Sequence, residues 1–521
     1  MALLIYFYTF TSIPYLTFSD GAKYAEVARN IFQGMGYGSR FTTFPNSALD
    51  PIRPNLFTGN WILPVIPMLL LAVYKLFGVS DMAVIATSGV FYFGVVVMTY
   101  LIGKKIFGEL AGFLAGLAMA FHIPFLAYAT TGATETLFTF ELLLITYLFL
   151  NRKPWSNIAG FAGFVVLYFT RPHAPVYIVI MAIFYILLNS KSRKQTLRSL
   201  AVLAISGLAF ELFSQKFQGK YFITSVFKKA VVASLHFSSL QPANAGLREI
   251  FANPTQVLVS NIGVIIKKTL YNLYNFYKLL PEIASPYLWG LFAISFVKWG
   301  KDKAENSLKI TVAMMIILVF GITALTVPLY RYLHPVVPFV YLIAVGTLAW
   351  IVGRIVSKQQ LLKPISVLLL IFFVAGQSLG YIFLDSRFKN KTINRDKPPV
   401  YVTLSRILKE NTDSDQTIIT NLDTWGTWYG ERKTIWFPLI PEQLTRQDPK
   451  KISYDVIYLT SYLMDDENYY MGSEWRSVFE NPEKPGNELI ARSYVLKGIY
   501  TVSAEDTYEK ISARAVLLLK K

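Results

Sequence analysis

The sequence predicts a polytopic helical membrane protein with a small soluble α/β domain at its C-terminal end. Of its 521 residues, 54% are hydrophobic and only 16% are charged, whereas soluble domains contain about 25% charged residues. Apolar runs long enough to cross hydrocarbon recur up to Leu384, and the composition becomes polar from Asp385 onward. Such a chain buries much of its apolar surface in lipid.

Eleven apolar runs are candidate transmembrane helices when tilt and ragged ends are allowed for. Short polar loops separate most of them, and two long loops cover residues 19–80 and 215–283. The runs lie near 3–18, 82–102, 109–126, 136–150, 156–170, 174–189, 199–214, 284–299, 308–327, 334–351 and 364–384.

Basic residues give the predicted orientation. Fifteen Lys and Arg side chains fill alternate loops, whereas the short loops between those contain only Arg171 and Arg331. The positive-inside rule therefore places the basic loops in the cytoplasm. It places both long loops and residues 385–521 outside. The net charge of +18 follows from this topology and does not indicate a nucleic-acid partner.

One apolar segment, Trp61–Phe77, contains two prolines and Lys75. If it crossed the membrane, every later loop would change sides and the basic loops would face outward. We therefore expect it to lie at the membrane surface or to re-enter within the loop 19–80. A proline-containing spanning helix is the alternative.

The C-terminal segment has the pattern of a soluble fold. Runs typical of strands occur at 417–420, 456–460 and 516–519, and a helical pattern occurs at 402–409. The chain is thus divided into a transmembrane domain, residues 1–384, and an extracytoplasmic α/β domain, residues 385–521. We expect a multi-pass protein of the plasma membrane.

Several kinds of chemistry are excluded or not indicated by composition. The chain has no cysteine, which excludes disulfides, thiolate metal sites and a cysteine nucleophile. Its four histidines lack ligand spacing, so no zinc site is predicted.

Polar side chains on the predicted external face occur in only four places, each at the end of a span. A single cleft at that membrane face would bring them together, and a carboxylate at such a position often marks a functional site. The four places are Asp20 with Tyr24 and Glu26, the stretch 128–135 ending in Glu135, residues 170–173 with Arg171, and residues 330–335 with Arg331 and Tyr332.

These stretches resemble motifs of the GT-C glycosyltransferases, membrane enzymes that use sugars carried on polyprenyl phosphates. Asp20-x3-Tyr24-x3-Ala28 followed by Gly34-x-Gly36-Tyr37 resembles the first-loop motif of the family, and Thr131-Gly-x2-Glu135 resembles the acidic position of the second loop. Thr170-Arg171-Pro172 and Arg331-Tyr332-x2-Pro335 are similar to recurring span-end motifs.

The overall plan resembles protein O-mannosyltransferases and aminoarabinose transferases. Protein O-mannosyltransferases carry an Asp-Glu pair in the first loop, whereas here Gly21 follows Asp20. The resemblance implies transfer of a sugar from a polyprenyl-phosphate donor to an external acceptor, which would be a protein, a lipid or a polysaccharide.

The resemblance and the residue types together suggest roles. Asp20 is the expected general base, since partial desolvation raises a carboxylate's pKa. Glu135 would orient hydroxyl groups, with a metal ion shared with Asp20 as the alternative; no cofactor is otherwise indicated. Glu26 is expected on a solvated helix face. The substrate-binding candidates are Tyr24, Arg171, Arg331, Tyr332, Lys267 and Lys268, with the cations facing the leaving phosphate.

Each role has a purely structural alternative. Asp20 could simply end a span, and Glu135 could be an acidic residue that the helix dipole favours at a helix N-terminus. The two arginines could contact lipid headgroups. Lys267 and Lys268 lie among tyrosines at three-residue spacing, which is also typical of an interfacial anchor.

Two other functions compete with sugar transfer. A transporter or flippase of polyprenyl-linked glycans would place binding groups near the midplane and show internal repeats, but only Glu141 and Glu211 are mid-span carboxylates and no repeat is visible. An oligosaccharyltransferase or glycan polymerase would share the chemistry. Trp425-Gly-Thr-Trp428 faintly resembles an oligosaccharyltransferase signature but lacks its aspartate, and we expect a turn with packed aromatics.

The orientation can be tested with single engineered cysteines, because the chain has none of its own. Cysteine at Ser414 or Thr134 should react with a membrane-impermeant maleimide in intact cells, and cysteine at Ser192 should react only after permeabilisation. The opposite labelling pattern would contradict the orientation.

Overall fold

The computed structural model describes residues 14–43, 55–57, 62–218, 259–297, 302–326, 328–356, 397–438, 440–445, 453–465 and 471–521. The predicted span 364–384 and most of the span 3–18 lie outside these residues. The described part combines packed apolar helices with a six-stranded mixed sheet.

The helical part contains thirteen α-helices up to residue 356 and a 3₁₀ helix, Tyr330–Val336, in its described residues. The α-helices are α1 (Ser19–Phe32), α2 (Val65–Phe77), α3 (Asp81–Phe107), α4 (Glu109–Ala120), α5 (Ile123–Thr131), α6 (Glu135–Asn151), α7 (Pro154–Tyr168), α8 (Ala174–Asn189), α9 (Arg193–Gln218), α10 (Ile262–Ile283), α11 (Pro286–Ser295), α12 (Lys303–Leu325) and α13 (Val337–Val356).

Three of the described helical stretches are long and apolar enough to cross a membrane: Asp81–Phe107, Lys303–Leu325 and Tyr330–Arg354. Helices α4 and α5 would make a fourth, bent by 56°. The break follows from His122, whose side chain caps Phe125 N and so starts a new helix. Helices also occur at the other predicted spans that lie within the described residues, but they are shorter than 18 residues or more polar. The count of eleven spans stays a prediction.

The sheet has the strand order β1-β3-β2-β4-β6-β5. The first four strands in this order are parallel, and β6 and β5 add antiparallel pairs. The strands are β1 (Phe41–Thr43), β2 (Thr417–Thr420), β3 (Lys433–Trp436), β4 (Val456–Thr460), β5 (Tyr494–Val502) and β6 (Ala513–Lys520). β1 belongs to the loop between α1 and α2, so the sheet crosses the predicted domain boundary at residue 384.

Both faces of the sheet are covered, as expected for parallel strands. Alternate residues of β2 and β4 point to opposite sides and contribute to two apolar cores. One core contains α16 (Ser473–Glu480) and α17 (Glu488–Ser493). The other contains α14 (Val400–Glu410) and α15 (Trp425–Trp428), together with residues of α1 and α2. The sheet and the helices α14 to α17 that cover it, which we call the sheet layer, are therefore packed directly on α1.

Polar contacts reinforce this packing. Arg29 of α1 is buried, donates to the carbonyls of Thr427 and Trp428 at 2.8 Å, and stacks on the Trp428 ring. The first residue of α3, Asp81, accepts from Trp428 Nε1 at 2.7 Å and from the Tyr429 hydroxyl at 2.8 Å. The predicted aromatic turn at 425–428 is a short helix that docks on α1 and α3.

Glu26 does not lie on a solvated face. It is 1% exposed and accepts hydrogen bonds from Asn30, the Ser39 hydroxyl and the Arg40 N–H. Burial raises the pKa of Glu26 despite these bonds. The Arg40 carbonyl in turn accepts from Thr434 N, so Glu26 fixes the turn that leads into β1. The expectation of a solvated Glu26 was wrong because the chain after α1 folds back over it.

Glu26→Ala should lower the stability of the protein, since it removes two buried carboxylate oxygens that accept three hydrogen bonds. Groups left without partners cost about 1–3 kcal/mol. Glu410→Ala, which removes an exposed carboxylate from α14, is the control. The unfolding midpoint of detergent-solubilised protein measures the difference, and equal midpoints for the two variants would contradict this role of Glu26.

Candidate active site

Asp20 lies in the first turn of α1 and is held by cations on both carboxylate oxygens. Oδ2 is 2.7 Å from Arg331 Nη1, and Oδ1 is 3.3 Å from Lys23 Nζ. Its side chain is 23% exposed. Arg331 comes from the 3₁₀ helix that precedes α13, and its guanidinium also stacks on Phe18. The ion pair between Asp20 and Arg331 therefore connects α1, at the beginning of the helical part, with the 3₁₀ helix near its end.

Glu135 and Arg171 form a second, deeper ion pair. Glu135 is the first residue of α6 and Arg171 lies in the turn between α7 and α8; they are 0% and 4% exposed, and Arg171 Nη2 is 2.8 Å from Glu135 Oε1. Such burial does not fit a headgroup anchor at Arg171. Glu135 Oε2 and Arg171 Nη1 have no hydrogen-bond partner among the described residues. Neighbouring Thr134 is also buried, so Ser414 is the better labelling position.

Arg331 connects the two pairs. Its Nη1 lies 3.7 Å from Glu135 Oε1 as well as 2.7 Å from Asp20. Charges therefore alternate in the order Lys23, Asp20, Arg331, Glu135 and Arg171. We call these five residues the charge cluster. The charge cluster can bind an anion when one of its arginines leaves a carboxylate and pairs with the anion instead.

A backbone contact explains why Gly21 stands where the resemblance expects a glutamate. A Cβ atom at Gly21 would lie 2.6 Å from the carbonyl oxygen of Gly132, between α5 and α6. Gly132 itself has a φ of +80°, which glycine adopts without strain. The two glycines bring the start of α1 against the start of α6, and this approach places Asp20 near Glu135.

Aromatic rings border the charge cluster. The Tyr332 ring lies 5.5 Å from the Arg331 guanidinium carbon and 5.9 Å from that of Arg171, within cation–π range. His173 packs against Tyr332 with ring centroids 5.1 Å apart. Burial raises the pKa of Tyr24 to about 12, so its phenol remains a hydrogen-bond donor at neutral pH.

The electrostatics correct one expectation. Burial alone would raise the pKa of Asp20, but the charges of Lys23, Arg331 and Arg171 outweigh burial and hold it well below its usual range. In this state Asp20 is ionised at neutral pH and is a weak base. The sequence indicated that Asp20 is partly desolvated, but it did not indicate that three cations lie close to its carboxylate.

Two residues of this site were missed. Lys23 lies one helical turn after Asp20, and its ammonium is also 3.8 Å from Oδ1 of Asp423 in the sheet layer. The carboxylates of Asp423 and Asp20 raise the pKa of Lys23 although burial opposes them. The i, i+3 spacing could have indicated Lys23, but no local pattern points to Asp423.

The two lysines of α10 are placed differently from the other candidates. Lys268 is buried and donates to the carbonyls of Leu325 and Thr326, where α12 ends, whereas Lys267 is exposed. A cation at a helix C-terminus is a common structural arrangement. The exposed Tyr271, Tyr274 and Tyr277 fit the interfacial alternative.

A narrow apolar cleft lies beside the charge cluster. It runs between α1, α2, α3 and the start of α6, and its lining includes Gly21, Tyr24, Leu70, Phe91, Thr134 and Leu137. Gly21 and Thr134 are the sequence neighbours of Asp20 and Glu135, so the cleft ends next to the carboxylates. Among the described residues, no group of three or more His, Asp or Glu side chains is placed to hold a metal ion.

Comparison with known proteins assigns this architecture. Residues 62–216 match the family model described as dolichyl-phosphate-mannose-protein mannosyltransferase. The structure of ArnT from Cupriavidus metallidurans bound to undecaprenyl phosphate is similar with a TM-score of 0.52 at 13% identity, over 99% of this chain and 96% of that chain. The chain has the GT-C glycosyltransferase fold.

A second GT-C structure is also similar. The oligosaccharyltransferase AglB from Archaeoglobus fulgidus, in complex with an inhibitory peptide and a dolichol-phosphate, matches with a TM-score of 0.51 at 13% identity, over 97% of this chain and 73% of that chain. No curated protein matches. The resemblance to GT-C glycosyltransferases drawn from the motifs is thus confirmed, in the fold and in the matched segment. The matched segment includes Glu135 and Arg171 but not Asp20.

Gly21→Ala should disturb the charge cluster by pushing α1 away from Gly132. Because a misplacement of about 1 Å in a reacting group can cost about 100-fold in rate, we expect a large fall in sugar transfer and a lower unfolding midpoint. Gly290→Ala, at a helical glycine with open space around its Cβ position, is the matched control. Wild-type transfer by Gly21→Ala would show that the close approach does not position Asp20.

Proposed function

We propose that the protein transfers one sugar from a polyprenyl-phosphate donor to an acceptor on the extracytoplasmic side of the plasma membrane. The observation that supports this best is the charge cluster at the end of an apolar cleft. A donor of this class has the same two parts, an apolar chain and an anionic phosphate that carries the sugar.

The proposed binding mode follows from that match. The prenyl chain would enter the cleft between α1, α2 and α3, while the phosphate contacts Arg331 and Arg171. The two similar structures carry undecaprenyl phosphate and dolichol-phosphate, respectively, which supports this choice of donor. The acceptor would approach from the side of the sheet layer, which we place outside the cytoplasm.

The proposed reaction is a displacement at the sugar C1. Asp20 takes the proton from an acceptor hydroxyl, the acceptor oxygen forms a bond to C1, and the bond from C1 to the phosphate oxygen breaks. Polyprenyl phosphate leaves with the bonding electrons, and the guanidinium groups of Arg171 and Arg331 stabilise its charge. Glu135 holds both arginines in place, and Tyr24 and Tyr332 border the sugar.

Donor binding would also prepare the base. Arg331 holds Asp20 Oδ2 at 2.7 Å, and a phosphate that draws Arg331 toward itself weakens this pair. Because the positive charge of Arg331 helps to hold the pKa of Asp20 low, its neutralisation raises that pKa toward the range useful for a general base. Asp20 would thus gain basicity when a donor is present.

The same contacts argue for catalysis without a metal ion. Each carboxylate already pairs with an arginine, and guanidinium groups supply the positive charge that a leaving phosphate needs. We therefore propose that Asp20 and Glu135 bind arginines rather than a shared divalent ion.

The test uses purified protein, a panel of radiolabelled polyprenyl-phosphate sugars and candidate acceptors. Asp20→Asn should lower kcat by about 10²–10⁴-fold, whereas KM for the donor should not rise, because Arg331 no longer has to leave a carboxylate. Asp465→Asn, which removes an exposed carboxylate paired with Arg476, is the control. Transfer should continue in EDTA.

Other outcomes separate the alternatives. Release of free polyprenyl phosphate with label on the acceptor identifies a transferase, whereas label that crosses a vesicle membrane on its intact lipid identifies a flippase. A wild-type kcat in Asp20→Asn would show that Asp20 has only a structural role. Loss of activity in EDTA, restored by a divalent ion, would contradict the arginine-only site.

A further inference from the structure

One loop of the sheet layer contacts α1 along its whole length. Residues 421–429 belong to the connection between β2 and β3, which runs from 421 to 432, and include α15. Thr424 Oγ1 donates to the Ser19 carbonyl at 3.0 Å, Asp423 lies 3.8 Å from Lys23, and the Thr427 and Trp428 carbonyls accept from Arg29. The loop therefore contacts both ends of the helix that carries Asp20.

Asp423 stands out within this loop. It is 1% exposed and has a φ of +53°, in the left-handed region that few non-glycine residues occupy. Burying a carboxylate is costly unless a cation is close. Strained residues that carry a buried charge are often found at functional sites. Here the nearby cation, Lys23, belongs to the charge cluster.

Lys23 is shared between two carboxylates. Its ammonium is 3.3 Å from Asp20 Oδ1 and 3.8 Å from Asp423 Oδ1. An ammonium between two acids divides its attraction between them. If Asp423 were neutral, Lys23 would pair more strongly with Asp20 and make that carboxylate less able to accept a proton.

We propose that Asp423 is a positioning residue for Asp20: it holds the ammonium of Lys23 partly away from the Asp20 carboxylate, so that residues 421–424 of the sheet layer complete the active site. This rests on the proposed role of Asp20 as general base. In that mechanism Asp20 has two cationic partners. The donor phosphate draws away Arg331, and Asp423 draws away Lys23.

Asp423→Asn tests the proposal, because asparagine tolerates the left-handed conformation and removes only the charge. The first readout needs no enzyme activity. Asp423 raises the pKa of Lys23, and each unit of pKa changes the neutral amine fraction about tenfold. Acetylation of Lys23 by acetic anhydride at fixed pH, followed by peptide mass spectrometry, should become severalfold faster.

The second readout is the steady-state rate. Asp423→Asn should lower kcat by roughly three- to tenfold, as expected for a base of lower pKa, with an unchanged KM for the donor. Glu431→Gln is the matched control, since Glu431 also has a positive φ but is half-exposed and pairs with Lys409. It should change neither Lys23 acetylation nor kcat.

The outcomes distinguish this inference from the proposed function. Unchanged acetylation of Lys23 in Asp423→Asn would overturn the inference whether or not the protein transfers sugar. Faster acetylation with wild-type kcat would overturn it and leave the proposed function intact. Absence of transfer by the wild-type protein with every donor counts against the proposed function alone.

A second variant covers failure of Asp423→Asn to fold. The charged or titratable groups that face Asp20 are Lys23 and Tyr24 of its own helix, Arg331, Arg171, Glu135 and Asp423. Lys23→Met removes one cation from this set, so the acid limb of kcat against pH should move to higher pH. An unmoved limb would show that Lys23 does not restrain Asp20.

Discussion

The sharing of Arg331 between two carboxylates is the interaction on which the site depends. Its Nη1 reaches Asp20 at one end of the chain's helical part and Glu135 near the middle, and Glu135 in turn binds Arg171. Four segments that are distant in sequence are thereby tied together by charge in a partly buried place. Removing one partner would leave another charge uncompensated, which is costly away from water.

Small residues make this arrangement sterically feasible. The approach of Gly21 to Gly132 places backbone against backbone, so the carboxylates are brought together by the absence of side chains beside them. The cost of clustering charges is offset by alternation of sign along the cluster. The five residues, three cations and two carboxylates, keep a net charge of +1, and each arginine can exchange one anion for another.

Sequence patterns predicted the membership of the cluster better than its chemistry. Asp20, Glu135, Arg171 and Arg331 could be found because span ends on one membrane face must lie near each other. Glu26 was misplaced, because helical periodicity does not show that residues 38–40 fold back over α1. Strand β1 was missed since three residues are too few for a period-two pattern. Asp423 could not be found, because its partner Lys23 is 400 residues away in sequence and no motif links the two.

The pairing of β1 with β3 has a consequence for biosynthesis. Phe41–Thr43 is made before the helices α2 to α13, but its partner strand, Lys433–Trp436, emerges only after the helices up to residue 356 have been made. Contacts of such high sequence separation form late in folding. Helix α1 therefore stays incompletely paired in its charges until residues 421–429 have been made. A ribosome that stops early would leave a chain whose edge strand and charged helix are both exposed, and such features are suited to recognition by chaperones and proteases.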